Sequence, residues 1–139
     1  MRIITLNCNG IRSAARKGFF DWMIDQQADV VCLQETKAQE AQLEDEVFNP
    51  SGYQRYLHDA EKKGYSGTAV YSRVPAKKVV RGLGDDEIDR EGRYLEATFE
   101  NISVVSLYLP SGSSGDERQA FKYRMMDIFL PHLLSLIHI

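Results

Sequence analysis

Three polar side chains stand at the C-terminal ends of short apolar runs in this sequence: Asn7, Glu35 and Tyr108. Open α/β sheets place their sites beyond the carboxyl ends of strands, so this recurrence predicts one shared site. A carboxylate beside an amide oxygen suits a hard cation such as Mg²⁺, which fills its other positions with water and substrate phosphate. The pattern therefore indicates a site for a hard divalent cation.

Each of these residues also has an ordinary structural role open to it. Glu35 could begin a helix or pair with Lys37, and Asn7 could cap the turn that follows it. A tyrosine at a strand end is most often a core residue whose hydroxyl reaches water. Residue spacing alone leaves the metal site and these alternatives open.

The segment between Arg55 and Arg81 is basic, with seven Lys or Arg residues against two acidic ones. Its loop Lys62–Gly67 combines lysines, glycines that free backbone N–H groups, and one tyrosine, which suits contact with a phosphate. An ordinary hairpin turn with a lysine pair explains the same residues, and the loop by itself favours that simpler interpretation. The three histidines form no ligand spacing, so no zinc site is predicted.

Length and composition restrict the class of protein. The chain has 139 residues, which fits a single domain, and 43% hydrophobic with 27% charged residues is ordinary globular usage. The net charge of −3 does not mark a nucleic-acid binder, so any such function must rest on local charge. No signal peptide or membrane span is recognised, and two cysteines in apolar runs are typical of reduced thiols. We therefore expect a cytoplasmic protein that does not enter membranes.

The elements that must position these residues follow an α/β order. Strand Arg2–Cys8, helix Phe19–Gln27 and strand Val30–Leu33 open the chain, and an exposed helix is predicted over Glu40–Val47. Period-two patterning then predicts further strands, with a tight turn at Glu100-Asn101 between the last two. These strands are Tyr53–Leu57, Thr68–Ser72, Lys77–Val80, Tyr94–Phe99 and Ser103–Leu109. The acidic segment after Gly82 is predicted to be a loop.

A final helix is predicted to begin at a capping box formed by Ser114 and Glu117. Its residues are apolar on nearly every side up to Ile139, so it needs burial on more than one face, and Pro131 would kink it. We therefore interpret the 139 residues as a single domain that has been cut short.

Five segments, in this order, resemble the exonuclease III family of apurinic/apyrimidinic (AP) endonucleases, within the endonuclease/exonuclease/phosphatase superfamily. The resemblance covers nearly all of this chain but only the first half of the family domain. The segments that carry it are Ile4–Arg12, Ala28–Lys37, Lys63–Gly67, Asp89–Arg93 and Ser106–Gly112. The resemblance implies the N-terminal half of a deoxyribonuclease I-like, two-sheet α/β sandwich, with a mixed sheet and flanking helices.

The resemblance also implies roles for the polar residues. Glu35 would be the principal Mg²⁺ ligand, with Mn²⁺ as an alternative metal, and Asn7 would lie in or against the metal's ligand shell. Tyr108 would lie against the scissile phosphate as a catalytic residue. Asn9, also assigned to catalysis, and Lys37 would tune the surroundings of the metal.

Residues that would hold the DNA backbone are implied in the same way: Arg12, Lys37, Tyr65, Arg93 and Ser111. Ser111 stands where many relatives have asparagine, which weakens one expected phosphate contact. The implied reaction is Mg²⁺-dependent hydrolysis of DNA phosphodiesters in base-excision repair, as AP endonuclease and 3′–5′ exonuclease. The substrate would be duplex DNA with abasic sites or 3′ ends, and the complete protein would be a monomer.

The second half of the family pattern is missing: no Asp-x-Asn and no Ser-Asp-His occurs. Because those residues orient the nucleophile and contact the phosphate, we expect the isolated chain to be weakly active or inactive. Two other classes stay open. One is a superfamily enzyme acting on lipid or inositol phosphates, and the other is a non-catalytic fragment that binds DNA or a partner.

Overall fold

A computed structural model of the protein describes residues 1–137. The strands are β1 (Ile3–Asn7), β2 (Val30–Gln34), β3 (Gln54–His58), β4 (Thr68–Ser72), β5 (Lys78–Arg81), β6 (Tyr94–Thr98) and β7 (Ser103–Leu107). The helices are α1 (Ile11–Arg16), α2 (Phe19–Asp25), α3 (Asp86–Asp89) and α4 (Asp116–Ile137). Single 3₁₀ turns cover Glu40–Gln42, Glu46–Phe48 and Gly112–Ser114. His138 and Ile139, which belong to the predicted apolar end, lie outside the described residues.

The strands form two sheets. The first has the order β1-β2-β4-β3, in which β1 and β2 are parallel and the other pairs are antiparallel. The second has the order β5-β6-β7 and is antiparallel throughout. The backbone N–H of Phe99 donates to the carbonyl of Ile102, which closes the predicted turn between β6 and β7. The predicted α/β sandwich with a mixed sheet is confirmed.

Strand β2 is apolar at successive positions because both of its faces are covered. Val31 and Leu33 pack toward α1 and α2, against Ile11, Phe20 and Met23. Their neighbours Val30 and Cys32 point the opposite way, into the core between the two sheets, which also contains Val70, Leu95, Ala97, Phe99 and Val104. Both cysteines are free thiols, as predicted. The strand before Glu35 is therefore enclosed between the two apolar clusters.

Helix α4 packs on the second sheet through Phe121 and Met125, which meet Ile88 of α3 in a third apolar cluster. Its other sides expose Met126, Leu130, Leu134 and Ile137. Pro131 lies inside the helix and does not end it. Within residues 1–137 we find no helix with the length and apolar character that crossing a membrane requires.

Several local predictions are wrong. Helix α1 was not predicted because Ile11 is its only buried residue, so it shows little apolar periodicity. The acidic segment after Gln39 forms two 3₁₀ turns instead of one helix. The predicted acidic loop contains α3, whose first turn is capped by the side chain of Asp85. The Ser114 capping box does not form, because α4 begins at Asp116 and Ser114 belongs to the preceding turn.

Candidate active site

The ends of β1, β2 and β7 bring the three predicted polar residues into direct contact. Oε1 of Glu35 accepts a hydrogen bond from Nδ2 of Asn7 at 3.0 Å and one from the hydroxyl of Tyr108 at 2.5 Å. Asn7 is the last residue of β1, whereas Glu35 and Tyr108 each follow their strands directly. Glu35 and Tyr108 are 73 residues apart in sequence, so their contact exists only because the two sheets stack.

The backbone around this carboxylate is held in an unusual conformation. Asn9, Glu35 and Lys37 have φ values of 45°, 56° and 50°, in the left-handed region that non-glycine residues seldom adopt. The backbone N–H of Gly10 donates to the carbonyl of Glu35 at 2.7 Å, and that of Lys37 to the carbonyl of Ser66 at 2.8 Å. Backbone hydrogen bonds to both neighbouring loops therefore hold the segment around Glu35 in a strained conformation, as is common at functional sites.

Close packing behind Glu35 explains one glycine of the Lys62–Gly67 loop. Gly67 has a φ of +90°, and a Cβ atom added there would lie 2.2 Å from Oγ1 of Thr36. The N–H of Thr36 donates to the carbonyl of Gly67 at 3.2 Å. The hydroxyls of Thr36 and Ser66 are buried and have no hydrogen-bond partner among the described residues. The loop thus packs closely against the backbone next to Glu35.

The charges at the site favour an ionised Glu35. The hydrogen bond from Tyr108, then that from Asn7, and the nearby charge of Lys37 lower the pKa of this carboxyl below its usual value. Nζ of Lys37 lies 3.4 Å from Oε2 of Glu35 and donates to Oδ1 of Asn9 at 2.6 Å. Burial, together with its bond to Glu35, raises the pKa of Tyr108 to about 12. At neutral pH the site therefore pairs a carboxylate with a neutral phenol that donates a hydrogen bond to it.

Arg93 is placed differently from what the resemblance implied. Its side chain is buried, with only 2% of the residue exposed. Nε donates to Glu91 at 2.5 Å, Nη2 to the hydroxyl of Tyr65 at 2.9 Å and Nη1 to the carbonyl of Tyr108 at 3.1 Å. Its guanidinium also lies 4.9 Å from the centre of the Tyr108 ring. In this structure Arg93 positions Tyr65 and Tyr108 and does not present its charge to a ligand.

Sequence reasoning missed Arg118, which completes this network from α4. Its Nη2 donates to Glu91 at 3.0 Å and to the hydroxyl of Tyr65 at 3.1 Å, and it remains partly exposed. Burial opposes ionisation of Glu91, but the hydrogen bonds from Arg118 and Arg93 outweigh it and lower the pKa of that carboxyl. No local signal marks Arg118, because its partner is 27 residues away in sequence.

Arg12 and Ser111 lie at the margin of the site. Arg12 is exposed, and its Nη2 donates to the carbonyl of Lys37 at 3.3 Å. Arg12, Lys37 and Gly64 line a shallow groove of about 390 Å³ together with Arg16, which sequence reasoning missed because α1 was not predicted. Ser111 is exposed, and its Oγ caps the 3₁₀ turn before α4 by accepting from the N–H of Ser113 at 3.3 Å. The described side-chain hydrogen bonds of Ser111 are with Ser113.

The donor set at Glu35 fits a hard divalent cation. Among the described residues, both short hydrogen bonds to this carboxylate go to Oε1, and the contact at Oε2 is the Nζ of Lys37 at 3.4 Å. The amide of Asn7 lies beside this carboxylate, with Nδ2 directed at Glu35 and Oδ1 accepting from the backbone N–H of Asn9 at 3.1 Å. Within residues 1–137 no group of three His, Cys, Asp or Glu side chains is placed to hold a metal ion together. Mg²⁺ is commonly held by one or two carboxylates, with water and phosphate completing its shell.

The chain combines a two-sheet α/β sandwich with an ionised carboxylate, an amide and a phenol at the edge of its sheets. The model of the endonuclease/exonuclease/phosphatase family matches residues 4–135, and the chain belongs to this family. The family resemblance drawn from its motifs is thereby confirmed.

Individual relatives agree with this assignment. The chain is 39% identical over 137 residues to an exodeoxyribonuclease of Bacillus subtilis, covering 98% of this chain and 53% of that protein. It is 30% identical over 129 residues to a DNA-(apurinic or apyrimidinic site) endonuclease of Dictyostelium discoideum, covering 92% and 36%. The structure of an AP endonuclease from Archaeoglobus fulgidus superposes with a TM-score of 0.82 at 28% identity, over 95% of this chain and 51% of that one. The chain thus spans about half the length of the Bacillus and Archaeoglobus relatives, and about a third of the Dictyostelium one.

Proposed function

We propose that these residues form part of the active site of a divalent-metal-dependent nuclease that hydrolyses phosphodiester bonds of duplex DNA at abasic sites and 3′ ends, as in base-excision repair. The observation that carries the proposal is the ionised Glu35, held between Asn7 and Tyr108 at the edge where three strands end. The names of the Bacillus and Dictyostelium relatives support DNA as the substrate.

Glu35 would hold Mg²⁺ or Mn²⁺, and Asn7 would lie in or against the ligand shell of that ion. When bound, such a cation supplies charge neutralisation at a phosphate and at its leaving oxygen. The low pKa of Glu35 supports this role, because the carboxylate is already ionised at neutral pH and its Oε2 is free of short hydrogen bonds. The neighbouring Lys37 adds a positive charge that also attracts a phosphate.

Tyr108 and Asn9 have distinct tasks in this proposal. The raised pKa of Tyr108 keeps its hydroxyl protonated at neutral pH, so that it donates a hydrogen bond to a phosphate oxygen or, as here, to Glu35. Asn9 holds the ammonium of Lys37 through Oδ1, while its backbone N–H donates to Oδ1 of Asn7 at 3.1 Å. Asn9 therefore sets the positions of two groups that face the substrate.

The DNA backbone would lie along two features beside the carboxylate. One is the groove lined by Arg12 and Arg16, whose exposed guanidinium groups suit phosphate contacts. The other is the hydroxyl of Tyr65, held by the partly exposed Arg118. We assign Arg93 to positioning and leave Ser111 as a marginal contact. Monomeric state and cytoplasmic location remain part of the same proposal.

The first test is metal binding, because it does not require a fully active enzyme. Electron paramagnetic resonance of Mn²⁺ titrated with the 139-residue chain should show one bound ion per chain. Glu35→Gln should abolish that binding, because it removes the only carboxylate of the donor set. The matched control is Glu44→Gln, the same chemical change at an exposed residue of the segment between the 3₁₀ turns.

Cleavage is measured under single-turnover conditions, with the chain in excess over a labelled abasic-site duplex. Slow, Mg²⁺-dependent incision is expected from the wild type and from Glu44→Gln, and none from Glu35→Gln. A phosphoinositide substrate in a parallel assay addresses the superfamily alternative. Turnover of the phosphoinositide without incision of DNA, or Mn²⁺ binding that survives in Glu35→Gln, would contradict the proposal.

A further inference from the structure

Three further polar side chains lie just before the strand ends that carry the site: Thr5 in β1, Gln34 in β2 and Ser106 in β7. Residues two apart on a strand face the same side of a sheet, so Thr5 lies one step below Asn7. Ser106 lies one step below Tyr108 in the same way. We call Thr5, Gln34 and Ser106 the supporting layer, because they lie between the site and the apolar core of the sandwich.

The amide of Gln34 joins the two sheets within this layer. Its Nε2 donates to Oγ of Ser106 and to Oγ1 of Thr5, each at 3.1 Å. Ser106 gives its own proton to the carbonyl of Leu33 at 2.9 Å, so its oxygen can only accept from Gln34. This proton count fixes which end of the amide faces Ser106, and it uses both hydrogens of Nε2. One side chain therefore connects β1, β2 and β7.

The bond between Gln34 and Ser106 is the part of the supporting layer that water replaces least easily. Ser106 is fully buried and Gln34 is half-buried, whereas Thr5 is exposed. Strand β7 belongs to the second sheet and β2 to the first, so no strand pairing fixes one against the other. Side-chain contacts must therefore set how close the end of β7 comes to the end of β2.

We propose that Gln34 is a positioning residue of the site, whose amide fixes the end of β7 against β2 and so keeps the hydroxyl of Tyr108 on Glu35. The bond between Tyr108 and Glu35 is 2.5 Å long, and hydrogen bonds weaken steeply as distance and angle depart from ideal values. A displacement of β7 by about 1 Å would therefore break it. The effect of Gln34 on cleavage rests on the proposed function, whereas its effect on Tyr108 does not.

The direct test follows the hydroxyl of Tyr108 by NMR of the chain labelled with ¹³C at tyrosine Cζ, whose chemical shift reports hydrogen bonding. The signal of Tyr108 is identified by its loss in Tyr108→Phe. We expect it to move in Gln34→Met, which keeps the length of the side chain and removes the amide. Ser106→Ala cuts the same bond from β7 and should move the signal in the same direction. The matched control Gln54→Met makes the same change at an exposed residue of β3 and should leave the signal in place.

The consequence for the reaction is measured by single-turnover cleavage of an abasic-site duplex at increasing concentrations of the chain, which separates the rate constant from DNA binding. Gln34→Met should lower the rate constant at saturation at least about tenfold, because small misplacements of a reacting group slow catalysis strongly. The half-saturating concentration should stay within about twofold of the wild type. The double variant Gln34→Met/Tyr108→Phe should be no slower than Tyr108→Phe, because both changes remove the same bond.

Circular dichroism checks that each variant is folded, and Ser106→Ala decides the question if Gln34→Met is not. Three results would overturn the proposal: a Tyr108 signal that stays in place in the folded variants, a shift of equal size in Gln54→Met, or losses of rate that multiply in the double variant. A wild-type chain that does not cleave abasic DNA would contradict the proposed function, and the Tyr108 signal would still decide the role of Gln34.

Discussion

Replacing Arg93 by methionine tests whether this buried guanidinium organises the site. The side chain makes three hydrogen bonds, to Glu91, the hydroxyl of Tyr65 and the carbonyl of Tyr108. Because the guanidinium donor is charged, each of these bonds contributes about 1.5–3 kcal/mol. Two effects reduce the loss of unfolding free energy in the variant. Methionine does not carry the desolvation cost of a buried cation, and Arg118 still pairs with Glu91. We expect the free energy of unfolding to fall by about 3 kcal/mol near neutral pH.

The pH dependence of that loss separates the ion pair from simple packing. Because the folded-state pKa of Glu91 is lowered, its charge interactions stabilise the fold above the unfolded pKa of about 4.3 and are lost as pH falls through the folded value. The difference in unfolding free energy between wild type and Arg93→Met should therefore shrink on acidification. Urea unfolding followed by circular dichroism, at pH 7 and at about pH 3, measures it.

The control for this experiment is Arg73→Met, at an exposed arginine near the ring of Tyr53. A surface substitution of this kind should change the free energy of unfolding by no more than about 0.5 kcal/mol. Two results would contradict this interpretation. One is a loss of unfolding free energy in Arg93→Met no larger than in Arg73→Met, and the other is a loss of the same size at both pH values. Either would mean that the network around Arg93 does not act as an ion pair.

Two further substitutions test the surroundings of the carboxylate. Tyr108→Phe removes the largest influence that lowers the pKa of Glu35, so the carboxyl should titrate at higher pH by ¹³C NMR; an unchanged or lower midpoint would contradict the described hydrogen bond. Gly67→Ala forces a Cβ against Thr36 at a positive φ and should lower the free energy of unfolding by about 2 kcal/mol. Gly18→Ala, with a similar φ of +86° but no atom within 4 Å of its Cβ, should cost clearly less; equal melting-temperature losses would refute the steric explanation.

Local patterns predicted most of the sheet and the convergence of three polar residues. The predicted strand boundaries agree with those of the structure to within two residues, because apolar alternation indicates which faces of a strand are buried. Helix α1 escaped prediction because it buries a single residue, and the Ser114 capping box failed because a 3₁₀ turn occupies the residues before α4. A short helix that is stabilised mainly by tertiary contacts has little hydrophobic periodicity in its own sequence, so periodicity does not predict it.

The family, the α/β class and the carboxylate most suited to a metal can be inferred from the sequence, because motifs and buried strands are properties of neighbouring residues. The three-dimensional contacts are needed to show that Arg93 is buried, that Arg118 joins its network from α4 and that Tyr108 bonds Glu35. These contacts join residues 15 to 73 positions apart, so they depend on strand pairing and on how the sheets and α4 pack together.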